Sequence, residues 1–269
     1  MSNDGSVPRF HTIEISDPIY ETDGLRFVTV KSDALGRRGD VCVWAPQDER
    51  INTLLILLHG VYGSHWVWPF KAGVHRTAQR MRDSGEIFPM VIAMPSDGLE
   101  NDGSGYVMSA REDVEAWIVD EVPRIARLAV PALDAQPRIV IAGLSMGGYG
   151  ALRLGAKYAD RFDGISAHSA ITKIEQMTAF VEEPLSDYLA SGSAKELSAI
   201  YWLQLHSERL PRLRFDCGVQ DDLLNGNRDL HAALTSAGIP HEYAEFEGGH
   251  EWSYWREQVT RTLRFASGR

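Results

Sequence analysis

Cysteine is nearly missing from this 269-residue chain, which carries only Cys42 and Cys217. A secreted disulfide scaffold needs more crosslinks than one pair can supply. The fold therefore has to rest on an apolar core, and a reducing, cytoplasmic setting is the expectation. Long apolar runs are missing too. No stretch reaches the roughly 20 residues that cross a bilayer, and "MSNDGSVPRF" has no apolar signal core; no membrane partner is expected. Basic residues are the minority, 27 against 37 acidic, for a net charge of −10. Such a surface repels nucleic acid and anionic lipid. No Gly/Ser-rich or Pro-rich linker and no internal repeat interrupts residues 1–269, which read as one domain. Zinc-type His/Cys spacing and phosphate-binding loops are absent, so neither metal nor cofactor is expected. The Asp/Gly-rich "DGLENDGSGYV", residues 97–107, lacks the regular oxygen spacing of a calcium loop. A small molecule is the expected partner, and a homo-oligomer is compatible with this composition.

What is present is an alternation of strands and helices. "GLRFVTVKS" and "GDVCVWAP" are rich in β-branched and aromatic residues and flank the turn-rich "DALGRRG"; they read as an antiparallel hairpin. "TLLILLHG", "PMVIAMPSDG", "RIVIAG", "FDGISAHSA" and "RLRFDCGV" are short apolar runs of the kind that is covered on both faces. Helical spacing appears in "REDVEAWIVDEVPRIARLA", where Pro123 should kink or restart the helix. It returns in "MGGYGALRLGAKYAD", in "NRDLHAALTSAG", which Gly238 stops, and in the closing "EWSYWREQVTRTLRFA". "PHEYAEFEGG" reads as the last strand. The pattern predicts an α/β fold: a mostly parallel central sheet with helices on both faces and an N-terminal antiparallel hairpin. Residues 171–211 break the rhythm. This excursion reads as helical pieces lying over the sheet end, carrying Phe180, Tyr188, Tyr201 and Trp202 towards a pocket.

"VIAGLSMGGYGALRLG" holds the most chemistry. A buried strand ends at Gly143-Leu144-Ser145-Met146-Gly147 and a helix follows, the context of a nucleophile elbow. The glycines clear space for a tight, strained turn that presents the Ser145 hydroxyl. The amino end of the next helix favours developing negative charge. A serine needs a base, and the base needs an orienting acid; on this fold the acid and then the histidine follow the serine in the chain. His250 sits in the loop after the last strand, at the carboxyl end of the sheet. His168 and His206 precede any well-placed acid, His231 lies within a helix and His241 opens a strand. The acid should stand just past "RLRFDCGV", beyond the in-strand Asp216. Asp221 is favoured over its neighbour Asp222. Oxyanion donors should be the backbone N–H groups of Met146 and of Val61, in "LLHGVYGS". His59 reads as a loop-ordering residue. Trp66 and Trp68, in "GSHWVWPF", either wall the pocket or fill the core.

Together, "LLHGVYGS", "GLSMGGYGALRLG", "CGVQDDLLNGN" and "HEYAEFEGGHEWSYW" resemble the esterase D-like carboxylesterases of the α/β-hydrolase superfamily, whose relatives include S-formylglutathione hydrolases, tributyrin esterases, feruloyl esterases and mycolyltransferases. The resemblance runs from about residue 25 to the final helix. It implies Ser145, Asp221 and His250 as the triad, the acid through Cys217-Gly218-Val219-Gln220-Asp221. It implies Val61 and Met146 as oxyanion donors, and Trp252 beside the site through the His-x-Trp ending. S-formylglutathione hydrolases resemble Gly-His-Ser-Met-Gly-Gly-His at the elbow, where this chain has Leu144 and Tyr149, with Tyr149 a candidate pocket residue. The departure favours a general small esterase acting on short-chain acyl esters. The alternatives are an S-formylglutathione hydrolase-like thioesterase or an acyltransferase on the same triad, and a non-catalytic binding protein is disfavoured by the complete set of serine, acid and base.

Overall fold

The computed structural model describes residues 10, 12–47, 50–99, 101–190 and 192–268. Nine strands form one sheet in the order β1-β2-β3-β5-β4-β6-β7-β8-β9. The first three, β1 (Ile13–Ile15), β2 (Leu25–Lys31) and β3 (Arg38–Trp44), are antiparallel, and β3 joins β5 (Val91–Pro95) antiparallel. From β5 onward every pairing is parallel, through β4 (Ile51–Leu58), β6 (Leu133–Leu144), β7 (Gly164–His168), β8 (Arg212–Gly218) and β9 (Glu242–Phe246). The hairpin and the parallel strands stand as the residue pattern predicts. The edge strand β1 is an addition: its three residues are too few to show a period.

Helices cover both faces. They are α1 (Val74–Asp83), α2 (Val114–Ala116), α3 (Val122–Ala129), α4 (Met146–Lys157), α5 (Leu185–Leu189), α6 (Ala199–Leu205), α7 (Leu224–Ser236) and α8 (Trp252–Ser267). The expected disturbance near Pro123 is a wide π-type turn over Trp117–Glu121, after which α3 restarts with the proline in its first turn, where the missing N–H costs nothing. α1 was hidden in sequence, because Val74, His75, Ala78 and Met81 make a weakly apolar stripe within "VHRTAQRMRD".

The alternation along each strand sends side chains to two cores. Leu54, Ile56 and Leu58 of β4 join one with Trp117, Ile125, Leu152 and Phe215; Leu55 and Leu57 join the other with Trp44, Trp68, Trp255 and Leu263. Burying each such chain stabilises the fold by about 1.5–3 kcal/mol before entropy is charged. The excursion is helical as expected: a turn over Ile174–Ala179, then α5, α6 and a turn at Ser207–Arg209. It is anchored on α4, where the Tyr149 hydroxyl donates to the Leu197 carbonyl and Arg153 donates to that of Glu196. Among the described residues no helix is long and apolar enough to cross a membrane.

Candidate active site

The carboxyl ends of the parallel strands converge on Ser145. At the end of β6 the chain turns into α4 within one residue, and Ser145 takes φ 53° and ψ −119°. A non-glycine residue there is strained and must be held from outside. Its N–H donates to the His168 carbonyl at 3.0 Å, and its carbonyl accepts from Ile171 N at 3.1 Å and Tyr149 N at 3.0 Å. The flanking glycines are steric requirements. A Cβ at Gly143 would stand 2.3 Å from the Gly147 oxygen, and one at Gly147 would stand 2.5 Å from the His59 oxygen.

His250 follows β9 and lies one residue before the cap of α8. Its Nε2 lies 2.9 Å from Ser145 Oγ, and its Nδ1 lies 2.9 Å from Asp221 Oδ2 and 3.2 Å from Oδ1. A carboxylate facing Nδ1 places the imidazole proton there and leaves Nε2 free to accept from the serine hydroxyl. Burial works against an ionised Asp221, yet the hydrogen bond and charge of His250, with the Leu223 N–H, outweigh it and hold the carboxyl below its ordinary range. Asp221 is therefore an acceptor at neutral pH. Asp222 points to solvent.

Met146 N–H opens α4, and Val61 lies in the loop after β4. Among the described residues neither N–H donates to a protein acceptor. The loop approaches the elbow closely: a Cβ on Gly60 would be 3.3 Å from Ser145 Cβ. His59 orders this loop as expected, with Nδ1 2.7 Å from the Gly60 oxygen.

The aromatic candidates divide. Trp68 is 1 % exposed and its indole N–H donates to the Leu58 carbonyl, so it belongs to the core and not to a pocket wall. Tyr149 is fully buried and ties α4 to the excursion through its hydroxyl. Trp66 is 44 % exposed on the loop after β4. Trp252 is half-buried and packs edge-to-face on Trp68 and Trp255. Of the excursion's rings, Phe180 reaches the site, its centroid 5.0 Å from that of His250. Tyr188 is held by the Gly103 carbonyl, Trp202 by that of Glu196, and Tyr201 packs on Trp202. Trp255, which meets the His250 ring edge-on at 4.9 Å, was not singled out in sequence; its place one turn into α8 from the histidine was the available signal. No cluster of three or more His, Cys, Asp or Glu side chains suited to a metal occurs among the described residues.

Residues 32–266 match the family model named Esterase. An acetyl esterase of Caldicellulosiruptor saccharolyticus is 29 % identical over 237 residues, which is 81 % of this chain and 84 % of that one. Among solved structures, a ferulic acid esterase superposes with a TM-score of 0.77 at 24 % identity, covering 97 % of this chain and 99 % of its own. An S-formylglutathione hydrolase of Staphylococcus aureus does so with a TM-score of 0.77 at 21 % identity, covering 94 % and 99 %. These neighbours share the α/β-hydrolase fold seen here, and the family match runs from β3 to α8 and takes in Ser145, Asp221 and His250. The chain belongs to the esterase family and is a carboxylic ester hydrolase.

Proposed function

We propose that this enzyme hydrolyses small, short-chain acyl esters through an acyl-enzyme on Ser145. The observation that carries the reading is the unbroken hydrogen-bond line Ser145 Oγ, His250 Nε2, His250 Nδ1, Asp221, on a serine held in strained backbone. His250 takes the hydroxyl proton as Oγ attacks the ester carbonyl. Asp221 stabilises the imidazolium and keeps its ring oriented. The tetrahedral oxyanion accepts from the Val61 and Met146 N–H groups; one such donor is typically worth about 10²–10³ in kcat. Collapse expels the alcohol, which takes the proton back from His250. Water then repeats the sequence on the acyl-enzyme, with His250 as base and then acid, and releases the carboxylic acid.

Substrate size follows from the walls. Ser145 is 1 % exposed, and Phe180 lies over the base. Each added acyl methylene gains about 0.8 kcal/mol while room remains, and crowding costs roughly 1–3 kcal/mol once it is filled. An acetyl esterase among the relatives supports a short acyl group. A reducing, cytoplasmic setting fits two free, buried cysteines. Across p-nitrophenyl esters, kcat/KM should peak from acetyl to butyryl and fall steeply by octanoyl, with no jump on emulsified triglyceride. An optimum at ten carbons or longer would refute the short pocket, and inactivity on every ester would refute the reaction.

A further inference from the structure

The loop segments 97–99 and 101–107 do no chemistry in that mechanism, yet they pack against the turn after β4 that carries Val61. Asp97 folds them, accepting from Leu99 N at 3.2 Å and Ser104 N at 2.8 Å, and lies 3.6 Å from His59 Nε2. Asp102 O accepts from Tyr62 N at 2.9 Å. Their most buried member is Tyr106, fully enclosed and at φ 52°. The Tyr106 hydroxyl accepts from His59 N at 3.1 Å and donates to the His59 carbonyl at 3.2 Å. β4 is paired with β5 only as far as Ile56 and with β6 only as far as Leu58. One hydroxyl thus satisfies both backbone polar groups of a residue past those pairings, as a neighbouring strand would. The Tyr106 carbonyl is in turn gripped by Arg153 of α4 at 2.8 Å, and Arg153 is paired with Glu115 at 2.6 Å. Burial, and then the nearby Asp97 charge, push the phenol well above its ordinary range, so the hydroxyl keeps its proton at any working pH.

We propose that Tyr106 is a positioning residue for the oxyanion hole. It acts as a one-atom substitute for a strand partner, fixing the His59 peptide and through it the height of the Val61 N–H above Ser145. The inference rests on the proposed function, in which Val61 N–H is a donor. A misplaced donor weakens the transition state while leaving ground-state binding alone. Tyr106→Phe keeps the buried ring and removes only the hydroxyl. It should lower kcat about tenfold on p-nitrophenyl acetate with KM within about twofold, a fraction of what loss of a whole donor costs. An arylboronic acid, which becomes tetrahedral on the serine, should weaken as a competitive inhibitor by the same factor, while circular dichroism stays that of the parent. Unchanged kcat and boronate affinity would overturn the proposal. So would a loss of kcat without loss of boronate affinity, which a merely structural role would give. If Tyr106→Phe does not fold, Asp97→Asn loosens the same loop from its other end, and should lower kcat and boronate affinity together about threefold; no joint fall would overturn the proposal. Fluorophosphonate labelling of the parent enzyme, mapped by peptide mass, separates the two readings. A label elsewhere than Ser145 defeats the proposed function itself, whereas a label on Ser145 with an unaltered Tyr106→Phe defeats this inference alone.

Discussion

Two histidine–aspartate pairs take their acids from β8 and the turn just past it, and only one has the makings of a catalytic centre. His250 Nδ1 is 2.9 Å from Asp221, and its Nε2 is 2.9 Å from the hydroxyl of Ser145. His168 Nδ1 is 2.9 Å from Asp216, and its Nε2 is 2.8 Å from the hydroxyl of Thr262. The distances do not tell them apart. Surroundings do. The His250 side chain keeps 21 % of its surface open, whereas His168 and Asp216 keep none. Asp216 also accepts from Arg214 at 2.6 Å and Tyr254 at 2.8 Å, and Thr262 is bonded to Ser166. The bonds link into one buried chain: His168 Nδ1 with Asp216, His168 Nε2 with the Thr262 hydroxyl, Thr262 with the Ser166 hydroxyl, and Arg214 donating to Ser166. The Thr262 hydroxyl there is engaged on two sides, by His168 and by Ser166. At Ser145 the hydroxyl sits on strained backbone beside a partly exposed base, and the N–H groups of Val61 and Met146 donate to no protein acceptor among the described residues. A hydrogen-bonded Asp-His-hydroxyl line is therefore not sufficient for a triad; access and uncommitted donors complete it.

That contrast can be broken at several points. Ser145→Ala should remove hydrolysis by a factor on the order of 10⁶, with the thermal midpoint hardly moved, read by steady-state kinetics and calorimetry. Asp221→Asn should lower kcat by about 10⁴ through a misoriented imidazole, while Asp222→Asn stays within about twofold. In the buried pair the outcome should invert. Asp216→Asn strands Arg214 and should cost about 3–5 kcal/mol of stability in denaturant titration, while activity of the folded fraction falls less than tenfold. Thr262→Val, nearly isosteric, should cost about 1–3 kcal/mol for the unpartnered groups it leaves and spare kcat.

The pairs also set an acid limit. Burial opposes ionisation of Asp216, but the charges and hydrogen bonds of His168 and Arg214 win and hold its carboxyl low; Asp221 is lowered likewise by His250. A carboxylate lowered in the folded state contributes stability that is present above its unfolded value and is lost as pH falls through the folded one. The thermal midpoint should thus hold above about pH 4 and drop below it.

Much of this arrangement was legible in the chain. Strand runs and turn glycines are local, so the mostly parallel sheet and the Ser145 elbow could be read directly, and chain order pointed to His250 and Asp221 as the candidate base and acid. What local pattern could not give was the direction of large rings. Trp68 and Tyr149 are adjacent to the elbow or its loop in sequence, yet packing turns both into the core. Phe180 comes from the far excursion to cover His250. Tyr106 carries no periodic or motif signal, because its role depends on a backbone 47 positions away.

The most direct test of the central claim is where an active-site phosphonate lands. After saturation with a fluorophosphonate and proteolysis, one adduct per chain should map to the peptide containing Ser145, and Thr262 should remain unmodified. An adduct on Thr262 or on any other hydroxyl, with Ser145 bare and hydrolysis abolished, would contradict the account.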